Sequence, residues 1–168
     1  MTSLLTPTES TKRGTAAETA HPDTRERRVL VVVDDACTTP EVCAGVRSYA
    51  DDRPLAALVI APAHESVATQ WYVDEDAARA DAAYRLRGCI ACLRREGMRV
   101  EGHIGDSDPV HAIADALREF PADEILFVSA PQRPSRWLRP NVIDRARHSF
   151  PQPIEHIAMP PAVIAGSH

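Results

Sequence analysis

The sequence predicts an α/β domain, a mostly parallel, doubly wound sheet of five strands with helices on both faces. Three observations carry that prediction. Short β-rich runs alternate with amphipathic helical stretches in the order β-α-β-α-β-α-β-α-β, the pattern of right-handed crossovers between parallel strands. Several of the runs are apolar without a break, as in strands covered on both faces rather than one. Pro and Gly punctuate several junctions between runs, as at Thr39-Pro40, Gly97 and Gly105–Pro109.

The first strand is Arg28-Val29-Leu30-Val31-Val32-Val33-Asp34, an apolar run closing on an acid. Thr39-Pro40 then opens a helix to about Ala50, with Pro where a first helical turn tolerates it and Val42, Val46 and Tyr49/Ala50 on one stripe. Leu55 to Ala61 is the second buried strand, and residues 62–73 form a long loop ending in Trp71-Tyr72. A long helix runs from about Asp74 to Glu96. Its residues Ala78, Ala82, Leu86, Cys89, Ile90 and Leu93 recur at three and four, and Gly97 supplies a left-handed cap.

Met98 to Ile104 is less apolar, which places the third strand nearer a sheet edge. Gly105-Asp106-Ser107-Asp108-Pro109 is a turn and helix cap, followed by a helix presenting Val110, Ile113, Ala114, Leu117 and Phe120. Glu124 to Ser129 is the fourth strand. A loop rich in Pro and Arg leads to a helix near Pro140–His148, and Pro153 to Met159 is the fifth strand. Residues 1–26, rich in Thr, Ser, Glu and Pro without apolar periodicity, read as a disordered leader, and 160–168 as a flexible tail. The ordered domain is therefore 27–159.

Composition excludes several classes. Of 168 residues, 44% are hydrophobic and 26% charged, which suits one domain with a full core. No apolar stretch approaches the ~18 residues of a membrane span, and no basic leader precedes an apolar run of signal-peptide type. A cytoplasmic location is expected. The formal charge of -5 argues against a nucleic-acid-coating protein. The cysteines are Cys37, Cys43, Cys89 and Cys92. For a cytoplasmic chain thiols are expected rather than disulfides. Cys89-Ile90-Ala91-Cys92 matches C-x-x-C, but inside a helix rather than at its start. Core packing is the first reading there and redox or metal chemistry the second. His64, His103, His111, His148 and His156 lack metal-ligand spacing, and His156 is read as a packed histidine. No metal site and no catalytic Ser-His-Asp or Cys-His set is predicted, so the chain is not expected to be an enzyme.

Val31-Val32-Val33-Asp34-Asp35 resembles the start of a response-regulator receiver domain. That family needs a lysine from its last strand, and this sequence has none after Lys12, so the likeness ends at one strand. A second resemblance spans about 27–159. The strand end at Asp34 is similar to the V-D-G-S of the universal stress protein family, and Gly105-Asp106 before a Pro-containing helix start is similar to its G-D-P. Ala122-Asp123-Glu124-Ile125-Leu126-Phe127-Val128-Ser129 resembles its A-D-L-I-V-V-G-S strand. Pro153-Ile154-Glu155-His156-Ile157 stands where the family has P-V-L-V-V. The resemblance implies a Rossmann-like sheet of order 3-2-1-4-5, a homodimer paired along the fifth strand through Ile154, Ile157 and Met159, and a ligand edge at the carboxyl ends of the strands.

ATP-binding members of that family carry G-x2-G-x9-G-[ST] after strand four, whose glycines let backbone N–H groups approach phosphates. Here no glycine occurs between Gly105 and Gly166, and Pro131 and Pro134 remove two N–H donors. The expectation is that ATP is not bound in the family's way and that no cofactor is held. In place of the glycines stands Arg133-Pro134-Ser135-Arg136-Trp137-Leu138-Arg139. Arg133, Ser135, Arg136 and Arg139 are candidate anion ligands, since guanidinium groups grip phosphate or carboxylate in bidentate fashion. The alternative is a solvated arginine face. Asp34 either faces a ligand, caps the following helix or pairs with one of these arginines. The leading functional expectation is a non-enzymatic regulatory or stress-response domain working through dimerisation and a protein or small-anion partner. The alternative is a stress protein binding ATP or another adenine nucleotide through the arginine loop, with slow hydrolysis. A third reading is a small enzyme of the adenine-nucleotide hydrolase-like group.

Overall fold

The structure, a computed structural model, describes residues 25–33, 40–51, 53–63, 75–129 and 140–158. Nine elements follow in order: β1 (Arg27–Val33), α1 (Pro40–Tyr49), β2 (Leu55–Pro62), α2 (Glu75–Arg95), β3 (Arg99–Gly105), α3 (Pro109–Glu119), β4 (Glu124–Ser129), α4 (Pro140–Ser149) and β5 (Ile154–Ala158). The sheet has the order β3-β2-β1-β4-β5, and every pairing is parallel. The expected order is thus the observed one, with no antiparallel member.

Strand alternation splits the core in two. Val29, Val31, Val33, Val59, Leu126 and Val128 face α1 and α2. Leu30, Val32, Leu58, Ile60, Ile125 and Phe127 face α3 and α4. β1 and β4 lie in the middle and are apolar on both sides, which explains their unbroken hydrophobic runs. β3 alternates, exposed at Arg99 and Glu101 and buried at Val100, as an edge strand does.

Local signals stop the elements where expected. Gly97 has φ 81°, its N–H bonds to Arg94 O at 3.0 Å and Met98 N–H to Leu93 O at 3.3 Å, the paired bonds of a Schellman end to α2. Asp108 caps α3, accepting from Val110 N–H at 2.8 Å, and Pro109 follows at the first helical position. The buried side of α3 is Pro109, Ala112, Ile113 and Ala116, rotated from the stripe that periodicity suggests. Leu117 and Phe120 flank the core rather than fill it. The reason is proximity: a Cβ on Gly105 would lie 2.6 Å from Ala112 Cβ, so the helix sits against β3 through its small residues.

The cysteines correct the thiol expectation. Cys43 of α1 and Cys92 of α2 form a disulfide with Cα atoms 6.0 Å apart, and Cys89 is disulfide-bonded as well. All three are buried in the core beneath α1 and α2. The C-x-x-C pair does pack in the core, because three residues along a helix return to nearly the same face. The same geometry turns Cys92 toward α1, which spacing along the chain does not reveal.

Candidate functional site

The crossovers place the functional edge. The connections β1-α1-β2 and β2-α2-β3 cover one face, while α3 and α4 cover the other. The strand order therefore reverses between β1 and β4. The helices that follow them, α1 and α4, lie on opposite faces, and such a switch point is where doubly wound sheets generally bind ligands. Val33 and Ser129 are the last residues of the two strands.

Ser129 is one of two buried polar residues among those described, at 8% exposure. Its Oγ lies 2.8 Å from Nε2 of His156 on the neighbouring β5. Phe127 pairs with His156 and Ser129 with Ala158, so the bond runs diagonally across the ladder on the α3/α4 side. His156, expected to be packed rather than a ligand, is exposed as a residue, but its ring is partly covered and held by this bond. Partial burial and then the positive charge of Arg147 on α4 push its pKa below the usual histidine range. The ring is thus neutral near pH 7.

Next along the edge, Asp106 Oδ1 accepts the Asp108 N–H at 2.7 Å. Asp108 pairs with Arg145 of α4, Oδ2 to Nη2 at 3.0 Å. Burial raises the Asp108 carboxyl pKa, but bonds from Arg145 and the Val110 and His111 N–H groups outweigh it, holding the group below its ordinary value. The α3 N-terminus is therefore satisfied within the chain.

The opposite pole holds the other buried polar residue, Glu124, at 6% exposure. Its carboxylate meets Arg27 Nε and Nη2, the latter at 2.6 Å, and the Tyr49 hydroxyl at 2.6 Å. Arg27 also lies 4.9 Å over the Tyr49 ring. Burial first, and the Glu124 carboxylate second, push the Tyr49 pKa upward. A groove of about 790 Å³ opens at this pole beside Arg28, Arg94, Arg99, Met98 and Phe120. Arg94 there is tied to Val100 O at 2.9 Å, Arg99 to Glu26 at 2.8 Å, and Arg28 stacks 4.3 Å over Phe120.

Of the sequence-predicted site residues, Asp34, Arg133, Ser135, Arg136 and Arg139 lie outside the described residues, as does Met159. Ile154 is 9% exposed and belongs to the chain's own core beneath α4, while Ile157 is half-buried against the α1/α2 side. Among the described residues no cluster of metal-ligating side chains occurs, and no helix is long and apolar enough to cross a membrane. Three groupings were missed: Ser129 with His156, Glu124 with Arg27 and Tyr49, and Cys43 with Cys92. Only the second leaves a trace in sequence, an acid opening an otherwise apolar strand.

No family model matches the sequence and no curated protein matches it. Solved structures do. A universal stress protein family member from Burkholderia pseudomallei superposes with a TM-score of 0.55 at 17% identity, over 82% of this chain and 98% of that one. A universal stress protein from Archaeoglobus fulgidus, in complex with dAMP, gives 0.55 at 18% identity over 78% of this chain and 97% of its own. Another structure of the protein from that organism gives 0.53 at 18%, over 79% and 99%. With the all-parallel order β3-β2-β1-β4-β5, these likenesses show that the chain has the universal stress protein fold.

Proposed function

We propose that this chain is a cytoplasmic regulatory or stress-response domain of universal-stress-protein type, without enzymatic turnover, acting as a homodimer that engages a protein or small-anion partner. The observation that supports the reading is the switch in strand order between β1 and β4, in a fold shared with solved universal stress proteins that match almost end to end. The sequence between β4 and α4 holds no glycine, which argues that ATP is not held in the usual manner and that no resident cofactor is required. Native mass spectrometry of gently purified protein tests this. A dimer mass without nucleotide supports the reading, and a stoichiometric adenine nucleotide overturns it.

One observation favours a second reading. The Archaeoglobus relative holds dAMP, and an equivalent nucleotide here would have to meet the side chains of Arg133, Arg136 and Arg139 instead of backbone amides. Such a protein would bind an adenine nucleotide or phosphate weakly and hydrolyse ATP slowly. Calorimetry with magnesium and ATP separates the two.

A further inference from the structure

We propose that Ser129 is a nucleophilic hydroxyl served by His156, able to accept an acyl group from an activated ester at the carboxyl edge of β4. This goes beyond the regulatory reading and stands independently of whether a nucleotide binds.

Three placements carry it. Ser129 ends a central parallel strand, where side chains of a doubly wound sheet meet ligands. Its Oγ is 2.8 Å from His156 Nε2, within the reach a general base needs. His156 lies on the edge strand and is exposed, while Ser129 Oγ beside it keeps 8% residue exposure, so the donor must approach from the histidine side. The groups that act on the ring are Ser129 from β4 and Arg147 from α4, and Arg147 in turn lies 3.6 Å from Asp144. No carboxylate among the described residues backs the imidazole. The pair therefore differs from a triad, in which a third group orients the base.

The step balances with the ester alone. Ser129 Oγ forms a bond to the carbonyl carbon as its proton passes to His156 Nε2. The bond from carbon to the leaving oxygen breaks with its electron pair on that oxygen, which takes the proton back from the imidazolium. The products are acyl-Ser129 and the released alcohol. Without an orienting carboxylate the second half, attack of water on the acyl-serine, is slow. The expected behaviour is one acyl group per chain rather than turnover. Acyl transfer fits better than phosphoryl transfer, which calls for several cationic groups around the phosphoryl oxygens, and of these Arg147 alone acts on the pair among the described residues.

The test treats the full chain with p-nitrophenyl acetate and, separately, a fluorophosphonate, then maps the adduct by peptide mass spectrometry. The expected result is a single burst of nitrophenol with the label on Ser129. His156→Gln should slow it at least about a hundredfold, with the melting temperature nearly retained because the Gln amide can still bond the Ser129 hydroxyl. The rate should rise with pH through a midpoint below histidine's ordinary 6.5 and then level off. An unlabelled Ser129 in the wild-type chain overturns the proposal without need of any variant. So does labelling whose rate ignores His156→Gln or lacks that pH dependence, since the bond then merely satisfies a buried hydroxyl. The burst is read in nucleotide-free buffer and Ser129 labelling needs no dimer, so failure here leaves the regulatory reading standing, and a bound nucleotide that overturns that reading leaves the acylation intact.

Discussion

Tyr49 on α1 and Glu124 at the head of β4 are joined by a 2.6 Å hydrogen bond, although 75 residues separate them in the chain. Arg27 shares the same carboxylate, so α1, β1 and β4 are fixed together at the pole opposite the carboxyl ends of the strands. Glu124 is nearly inaccessible while Arg27 is one-quarter exposed, so the carboxylate depends on these partners more than the guanidinium does. Glu124→Gln should cost about 3–5 kcal/mol, the penalty for orphaning one partner of a buried pair. Tyr49→Phe should cost roughly 1.5–3 kcal/mol, the loss of one bond to a charged group. Urea unfolding measures both, and equal, small shifts would contradict the buried geometry.

The Cys43–Cys92 bond closes a segment of 49 residues containing β2 and much of α2. Chain entropy alone gives such a loop roughly 4 kcal/mol of stabilisation. A Cys43→Ala, Cys92→Ala double variant should therefore melt several degrees lower under oxidising conditions and match the wild type more closely in reductant. Thiol titration of the unfolded wild type, taken directly from cells and again after aerobic purification, checks whether the bond survives a reducing compartment. A full thiol count in both samples would show that the helices pack without it.

Asp108 couples the cap of α3 to Arg145 of α4. Its folded-state pKa is depressed, so the contribution is complete above the ordinary value of 3.8 and is lost as pH falls below that value toward the folded one. Asp108→Ala should cost about 1 kcal/mol at neutral pH through the cap alone. Asp108→Asn keeps the cap and should erase only the acid-side slope. Chemical denaturation at a series of pH values down to about 3 distinguishes the two variants.

Among the described residues β5 is an edge strand of the sheet, and unpaired strand edges invite pairing with another chain. If two chains pair there, two isoleucines that look alike in sequence should behave differently. Ile157, half-buried, should when changed to Asp shift light-scattering mass toward the monomer. Ile154 is a core residue, so Ile154→Ala should lower stability by about 2–5 kcal/mol and leave association of the folded fraction intact. A wild-type monomer at tens of micromolar would remove the edge pairing altogether.

The fold was legible because its signals are local or periodic. The continuous run Val29–Val33, Gly97 ending α2 and Asp108-Pro109 opening α3 each specify backbone states by themselves, and alternation of elements then restricts topology. What stayed hidden depends on register. His156 reaches Ser129 only because β5 is staggered against β4 as it is, and nothing in Ile154-Glu155-His156-Ile157 encodes that offset. Ala112 and Ala116 look too small to define a face, yet close approach to Gly105 makes them the contact. Cys92 meets Cys43 only once α1 and α2 share one side of the sheet.

The arginine segment after β4 bears the decisive test of ligand chemistry. Arg133, Arg136 and Arg139 recur at three, beside Ser135 and Trp137, in a sequence where two prolines replace potential N–H donors. If these side chains receive an anion, phosphate or ATP should raise the melting temperature at constant ionic strength. Changing all three to Ala should then abolish that rise while leaving intrinsic stability almost unmoved, because exposed cations contribute little to folding. If they instead balance the acidic surface of this chain of charge -5, phosphate and chloride of equal ionic strength should act alike on the wild type. The triple variant should then lose stability mainly at low salt, where surface electrostatics are least screened. Calorimetry sets the scale: without a backbone cradle, magnesium-ATP should bind no tighter than the millimolar range, worth about 4 kcal/mol. Low-micromolar affinity would mean that side chains alone had rebuilt the phosphate site.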